Sequence, residues 1–435
     1  MSTIKILVAG DIHMGRSSSR VPDDHEGDLG AKEAWHRIVE VACHDSVDLV
    51  CLTGDVVDNS NMWGALGPLE TGIQKLKEHG IMVLAVSGNH DYKSLPRLAK
   101  QVSSEEFKLL GEDGTWERYT YTKEGCPPLH IDGWSFPSSH HEACPVETYP
   151  QDQNTSGATL CLVHGDFNLS KSKYAPMPKE QLAGKGVDAW LMGHIHQFQH
   201  HEFENTCVIY PGSPQALDFG EKGAHGCVML TVEGGEIQLT QKQISSVRYE
   251  EMDIDISECR SEDTANTEVR KKIKTKVVEI GAESGTALKN LVLRLKIKGT
   301  SEKPNELKEW LHDVNEFVDK SGSVRCTIDE ISFDDVELKA DLKALASESS
   351  PLGLLAQTVL ELRQVVNYHE STLSISTKKL VEKVRSEIND RRRIPHYEEL
   401  ATEHKEEVSD AVAVKKTQQL AEELLQELHR QVQKS

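Results

Sequence analysis

Five short motifs stand in fixed order along the first half of this chain. They are Asp11-Ile12-His13, Gly54-Asp55-Val56-Val57-Asp58, Gly88-Asn89-His90-Asp91, His164-Gly165 and Gly193-His194-Ile195-His196. Each carries carboxylate, amide or imidazole groups. Each closely follows a short apolar run, at residues 4–9, 48–53, 81–86, 159–163 and 189–192. Such runs, rich in Val, Ile and Leu and bounded by Gly or Asp, read as buried strands. The spacing therefore predicts a sheet core with polar residues gathered where its strands end.

Helical patterns fill the gaps. Trp35, Ile38, Val39 and Ala42 keep a helical period, as do Leu69, Ile73 and Leu76. Strands alternating with helices predict an α/β layered sheet. In such sheets the chemistry collects on loops beyond the carboxyl ends of the strands. Residues 207–210, 226–232 and 236–241 then read as strands without helices between them, a β-meander finishing the same domain.

At 435 residues the chain is too long for one core, and two or three domains are expected. Residues 1–250 form the first. Residues 253–267 are acidic and polar and read as a linker. Val269, Ile273, Val277 and Ile280 mark an amphipathic helix. Leu291, Leu293, Leu295 and Ile297 alternate with Val292, Arg294, Lys296 and Lys298, the pattern of a strand with one buried face. Leu307, Trp310, Leu311, Val314, Phe317 and Val318 give a further helical stripe, and residues 324–328 a closing strand. Residues 268–335 thus form a small α+β unit. Residues 350–435 are helical, with apolar stripes through Leu352, Leu355, Val359, Leu362 and Val366, through Leu380, Val384 and Ile388, and through Leu420, Leu424, Leu425, Leu428 and Val432. The stripes show no obvious shared core, which suits docking on a partner; a small bundle folded on itself is the alternative.

Composition limits the function classes. The net charge of −21 argues against broad electrostatic binding of nucleic acid. It leaves room for a local basic groove, and bound divalent ions would add positive charge to the sum. Nine cysteines occur with no Cys-x-x-Cys pair, so no zinc ribbon is encoded. Cys51 and Cys161 lie inside apolar runs and read as buried, reduced thiols, fitting a cytoplasmic location. No apolar stretch approaches the roughly 18 residues of a membrane span. The first ten residues run straight into a strand, and no signal peptide is expected.

The motifs suit divalent-metal phosphate chemistry, which wants oxygen and imidazole ligands with positions left open for water and substrate. Asp11 and His13 can face one ion from a strand-end turn. Asp55 has two oxygens and can bridge two ions. Asn89 offers an uncharged carbonyl oxygen, and His164, His194 and His196 complete the set. The adjacent glycines permit sharp turns and close backbone approach. His140-His141 and His200-His201 read as surface or rim residues.

This ordered set resembles the calcineurin-like metallophosphoesterase superfamily over roughly residues 1–225. The resemblance implies a layered β-sandwich flanked by helices, then a small α+β cap and C-terminal helices. It implies two divalent metal ions, foremost Mn2+, with Mg2+, Fe2+ and Zn2+ also suited. Asp11, His13, Asp55 and His196 would hold one ion, and Asp55, Asn89, His164 and His194 the other. His90 would act on the substrate in catalysis, with Asp91 orienting its neighbours from behind. Residues 209–214, Ile-Tyr-Pro-Gly-Ser-Pro, followed by Phe219-Gly220-Glu221, are similar to SbcD-type DNA repair nucleases. That similarity implies an exonuclease and endonuclease, a homodimer, and an SMC-like ATPase partner gripping the C-terminal helices. Asp58 matches the bacterial pattern and would polarise His90. Arg294, Lys296 and Lys298 are candidate DNA contacts, against the alternative of a solvated strand face, and Arg391-Arg392-Arg393 is a second basic cluster. Competing functions are a phosphatase or small-molecule phosphodiesterase of the same superfamily, and a non-catalytic scaffold retaining a metal site.

Overall fold

A computed structural model describes residues 2–21, 29–58, 62–102, 105–150, 156–315, 318–319, 324–339, 342–364, 373–392 and 409–434. By compactness the chain divides into two units. One comprises Met1–Met252, Ile273–Arg294 and Phe317–Glu330, the other Asp253–Lys272, Leu295–Glu316 and Ile331–Ser435.

The first unit is built on strands β1 (Ile4–Ala9), β2 (Leu49–Leu52), β3 (Met82–Ala85), β4 (Phe107–Leu109), β5 (Trp116–Tyr121), β6 (Leu129–Trp134), β7 (Ala158–His164), β8 (Ala189–Gly193), β9 (Gln199–Phe203), β10 (Thr206–Tyr210), β11 (Gly226–Glu233) and β12 (Glu236–Gln243). Helices α1 (Ala31–His44), α2 (Met62–Glu78), α3 (Ser94–Val102) and the single-turn α4 (Lys179–Leu182) connect them. The strands form two six-stranded sheets, ordered β12-β11-β1-β2-β3-β4 and β5-β6-β7-β8-β10-β9. Strands β1 to β4 run parallel, as do β6, β7, β8 and β10, while β11, β12, β5 and β9 join by antiparallel pairing.

Alternation along each strand sorts side chains into layers. Ile4, Ile6 and Val8 of β1 pack between the sheets with Leu49, Leu84, Ile131, Leu160, Leu162, Leu191 and Ile209. Leu7 and Ala9 face the other way, onto Trp35, Ile38, Leu69, Ile73 and Leu76 of α1 and α2. On the second sheet Val163, Trp190 and Val208 turn outward to meet Val146, Tyr149, Met177 and Leu182. Each such fully buried aliphatic side chain stabilises the fold by about 1.5–3 kcal/mol relative to exposure. The sandwich with flanking helices is the architecture expected from the sequence.

Two sequence expectations are corrected. Strand β10 does not continue into a meander. It pairs with β8, Cys207 against Ala189, whereas β11 crosses to the first sheet, with Val232 opposite Ile4. The crossing covers the edge of β1, so Val228, Leu230 and Val232 enter the inter-sheet core. The supposed linker is largely ordered structure. Strand β13 (Val247–Asp255) enters it and helix α5 (Glu262–Ser284) starts inside it. Its polar residues are a cap: Ser261 N donates to Thr264 Oγ1 at 3.0 Å and Thr264 N to Ser261 Oγ at 3.4 Å. Glu262 and Asp263 in the first turn complement the helix dipole.

Downstream come β14 (Asn290–Ser301), helices α6 (Leu307–Trp310) and α7 (His312–Asn315), β15 (Val318–Asp319) and β16 (Arg325–Leu338), in a sheet ordered β13-β14-β16-β15. The helical stripe predicted from Leu307 is thus two short helices, interrupted where Leu311 leaves helical geometry. Helices α8 (Leu342–Ala346), α9 (Pro351–Arg363), α10 (Ile375–Arg392) and α11 (Asp410–Lys434) follow. These do share a core, in which Ala356, Val359, Leu362, Val381, Ala413, Val414, Ala421 and Leu425 are buried. The stripe residues Leu380, Leu420 and Leu424 stay outside it and are exposed. Among the described residues, no helix is long and apolar enough to cross a membrane.

Candidate metal centre

The five motifs converge because each ends a parallel strand. Asp11 and His13 follow β1, Asp55 follows β2, Asn89, His90 and Asp91 follow β3, His164 closes β7, and His194 and His196 follow β8. The turns are strained. Asp11, His13, Asp55 and His194 take φ of 49°, 50°, 50° and 101°, a conformation that costs roughly 1–3 kcal/mol per non-glycine residue and concentrates at functional sites. Two neighbouring turns brace each other: Asp11 N donates to Gly54 O at 3.0 Å, His13 N to Asp55 O at 2.9 Å and Met14 N to Val56 O at 3.0 Å. Gly88 is required by proximity, since a Cβ there would lie 2.2 Å from Asp55 Oδ1.

Asp11, His13, Asp55, Asn89 and His164 form a buried floor, with His194 and His196 partly open above it. Asp55 Oδ2 lies 3.3 Å from His164 Nε2 and 3.9 Å from His13 Nε2, so one carboxylate stands between two groups of ligands. His13 Nε2 and His196 Nε2 are 3.3 Å apart. His164 Nε2 is 3.1 Å from Asn89 Oδ1, while its Nδ1 donates to Thr53 O at 3.0 Å. Three sets of ligand atoms each fall within 4.8 Å of one another: Asp11–His13–His196, Asp11–Asp55–His164 and His13–Asp58–His90. His194 is in none of them, but its ring packs 5.2 Å from that of His164. Behind the floor, Asp91 Oδ2 accepts from Val56 N at 2.7 Å and Val57 N at 3.3 Å, and Oδ1 from Gly88 N at 2.7 Å. Asp91 therefore ties the Asp55 loop to the Asn89 loop.

Electrostatics reflect this crowding. Burial pushes the Asp11 carboxyl up and lowers His13 to about 4. Burial opposes the Asp55 charge too, but His164, His13 and His90 together outweigh it and hold Asp55 well below the usual carboxylate range. Burial likewise disfavours the charge on His164, but the charge and hydrogen bond of Asp55, with Asp11 and the Thr53 carbonyl, raise it to about 9. Burial and the Asp55 charge lift Asp91 to about 7.

The donor set fits divalent cations. Because His164 Nδ1–H is spent on a carbonyl, its Nε2 shares its space with two acceptors, Asn89 Oδ1 and Asp55 Oδ2. That point calls for positive charge: the proton that the raised His164 carries on Nε2, or a cation in its place. His13 Nδ1 is buried without a hydrogen-bond partner among the described residues. Carboxylate, amide and imidazole ligands without thiolate match Mn, Mg, Fe or Zn.

His90 is half exposed, its Nδ1 3.8 Å from Asp58 Oδ1 and its ring 5.0 Å from that of His13. Arg294 pairs with Asp329 at 2.8 Å and Glu330 at 3.6 Å and lies 3.9 Å over the Phe219 ring. Lys298 pairs with Asp253 at 2.8 Å. Lys296 lies on the same strand, β14. Arg391 and Arg392 end α10, but their side chains and all of Arg393 lie outside the described residues. His140 is closer to the site than a plain surface residue, stacking 5.6 Å from Tyr174, itself 4.8 Å from His194. Sequence reasoning missed two carboxylates. Asp166 Oδ1 is 3.5 Å from His194 Nε2, and Glu221 Oε1 is 2.6 Å from His196 Nδ1. Asp166 sits two residues past His164, and Glu221 ends the Phe219-Gly220-Glu221 segment; neither position carries a ligand-like motif of its own.

Residues 4–198 match the calcineurin-like phosphoesterase family. The chain is 27% identical over 227 residues to the uncharacterized metallophosphoesterase YhaO of Bacillus subtilis, covering 52% of this chain and 55% of that protein. It is 23% identical over 256 residues to the DNA double-strand break repair protein Mre11 of Thermoplasma acidophilum, covering 55% and 65% of the two chains. A protein of that same name from Methanopyrus kandleri matches at 23% over 252 residues, 51% of this chain and 52% of that one. The matched segments thus span between about half and two thirds of these relatives. With its strand-end motifs meeting at one buried cluster of ligand groups, the stretch from residue 4 to residue 198 is a calcineurin-like metallophosphoesterase domain.

Proposed function

We propose that this protein is a two-metal DNA nuclease, hydrolysing phosphodiester bonds as the nuclease subunit of an SMC-like ATPase complex in DNA repair or defence. The observation that carries the metal chemistry is the pair of ligand groups, Asp11–His13–His196 and Asp11–Asp55–His164, beside a half-exposed histidine. In this reading Asp11, His13, Asp55 and His196 hold one cation, and Asp55, Asn89, His164 and His194 the other. Two such ions, when bound, polarise a phosphoryl oxygen and make water acidic enough to attack at neutral pH.

The chain's own residues do the rest. Asp55 keeps the two ligand groups in register through its two oxygens. Asn89 contributes an oxygen without charge, so the cluster stays net positive once loaded. His90 is held at its backbone by Asp55 Oδ1, 2.8 Å from its amide. With Nδ1 turned toward Asp58, it presents Nε2 to a phosphate and protonates the leaving oxygen. To act as the acid it enters the step as imidazolium, with its Nδ1–H facing the Asp58 carboxylate 3.8 Å away.

DNA as substrate is supported by the likeness to proteins named for double-strand break repair and by the segment from Tyr210 to Glu221. An ATPase partner on the C-terminal helices is supported by Leu354, Leu420 and Leu424, apolar and exposed on α9 and α11. A homodimer and manganese as the native ion belong to the same reading, as does a reducing cytoplasm, which suits the free cysteines. The domain division at 250, 268–335 and 350 is retained as a functional one: nuclease, cap and partner-binding helices. A second reading, a small-molecule phosphodiesterase or phosphatase, is favoured by one observation: Arg294 and Lys298 are already paired with carboxylates.

The test is digestion of linear duplex DNA against hydrolysis of bis-p-nitrophenyl phosphate, each with manganese and with chelator. Manganese-dependent DNA cleavage that Asp55→Ala and His90→Gln abolish is expected. Cleavage of the small ester alone would move the assignment to the second reading.

A further inference from the structure

The Tyr210–Glu221 segment follows the last ligand motif and has no part in the chemistry above. It carries Glu221, 2.6 Å from His196 Nδ1. The segment is locked to the ligand loop it serves. Ser213 N donates to His196 O at 2.9 Å. Gly212 has φ of 76°, and a Cβ there would meet His196 O at 2.8 Å and Phe198 N at 2.9 Å, so only glycine permits this approach.

The surrounding hydrogen bonds leave one consistent assignment of protons. Gln197 Nε2 donates to Lys222 O at 2.9 Å and lies 3.3 Å from His225 Nε2, which must then accept. His225 therefore carries its proton on Nδ1, facing Ser213 Oγ at 2.9 Å and Ser213 O at 3.0 Å. Ser213 Oγ in turn donates to Glu221 Oε2 at 3.2 Å, and Leu217 N donates to the same oxygen at 2.8 Å. With Oε2 satisfied by two donors, Oε1 is left to accept from His196 Nδ1–H. In the neutral imidazole, the form that can ligate a cation, His196 Nε2 is then the unprotonated nitrogen, turned toward His13 and Asp11 at 3.3 Å and 3.9 Å.

We infer that Glu221 is a positioning residue for the metal centre: it fixes the His196 tautomer and ring plane so that Nε2 is offered to the first cation, and Ser213, His225 and Gln197 hold Glu221 in place. A carboxylate behind a ligating histidine raises its basicity and pre-sets its orientation. The inference rests on the two-cation reading for His196 as ligand, and on geometry alone for Glu221. Phe219, two residues before Glu221, lies under the Arg294 guanidinium, which Asp329 holds in turn.

The experiment is calorimetric titration of chelator-stripped protein with manganese(II) chloride, for wild type, Glu221→Ala and Glu221→Gln, with melting of each stripped protein as the structural control. Wild type is expected to take up two ions. Glu221→Ala is expected to bind one of them about 10–100-fold more weakly, the other unchanged, with stripped-state melting within a few degrees of wild type. Glu221→Gln, which keeps an acceptor oxygen but not the charge, is expected to recover part of that loss. Histidine 15N shifts in the stripped protein should show the His196 proton moving off Nδ1 in Glu221→Ala. Two wild-type affinities in both variants would overturn the inference while leaving the two-cation reading intact. A loss that follows a collapse of stripped-state melting in both variants would reduce Glu221 to a fold-holding role and equally overturn it. Failure of the wild type to bind two ions would instead count against the proposed function.

Discussion

The amide of His90 donates to Asp55 Oδ1 at 2.8 Å, while Asp55 Oδ2 stands 3.3 Å from His164 Nε2. One buried carboxylate thus fastens the loop that carries the exposed histidine and also faces the imidazoles of the floor. Asp55→Asn keeps the shape but removes the charge on both sides. It should reduce manganese affinity and phosphodiester hydrolysis by more than the roughly 10–100-fold that loss of an outer partner costs. Calorimetry and a diester assay on the same preparation check this; wild-type metal uptake by the variant would remove Asp55 from the site.

His90 and Asp58 should separate chemistry from binding. His90→Gln is expected to lower kcat by about 10²–10⁴-fold, the usual worth of a general acid, with manganese stoichiometry unchanged. Asp58→Asn, acting through its 3.8 Å contact with His90 Nδ1, should cost less, and combining the two should add little to His90→Gln alone. Additive losses would mean that Asp58 works independently.

Stability should report the cations. If Asp11, Asp55 and the facing histidines gather around bound ions, ligand linkage stabilises the folded state by about 2.7 kcal/mol at a hundredfold excess over Kd. For a unit of this size that is a rise in Tm of roughly 5–10 °C. Scanning calorimetry with manganese and with chelator measures it. Identical curves would contradict a metal-loaded native state.

The sequence made the floor of the site legible because its ligands are local to strand ends. The β-branched runs before Asp11, Asp55, Asn89, His164 and His194 all became strands with boundaries within about two residues of those read from pattern. Asp91, given an orienting role by the resemblance, bonds the amides of Val56, Val57 and Gly88. What stayed hidden depends on distant pairing. The antiparallel partnership of β11 with β1 joins residues more than 200 positions apart, and no local signal encodes it. Glu221 reaches His196 across 25 positions and Asp166 reaches His194 across 28, through loops without periodicity. The acidic stretch before α5 looked like a linker because capping residues and linker residues are the same polar types. The shared core of α9, α10 and α11 stood only as the alternative because part of it is alanine, at Ala356, Ala413 and Ala421, which hydrophobic stripes of large residues do not reveal.

The cysteines give a prediction independent of the metal site. Burial pushes the Cys51 and Cys227 thiols up to about 12, and Cys161 well above its ordinary value. A thiol reacts as its thiolate, so native protein at pH 8 should leave these three unmodified by iodoacetamide. The half-buried Cys126 and Cys259 should label first. Peptide mass spectrometry before and after denaturation decides it; native labelling of Cys51 would contradict the packing of β2.

The most direct measurement is anomalous diffraction at the manganese edge from crystals soaked in manganese. Two peaks are expected, one among Asp11, His13, Asp55 and His196, the other among Asp55, Asn89, His164 and His194. A single peak elsewhere on the surface, with these seven side chains unliganded, would contradict the account.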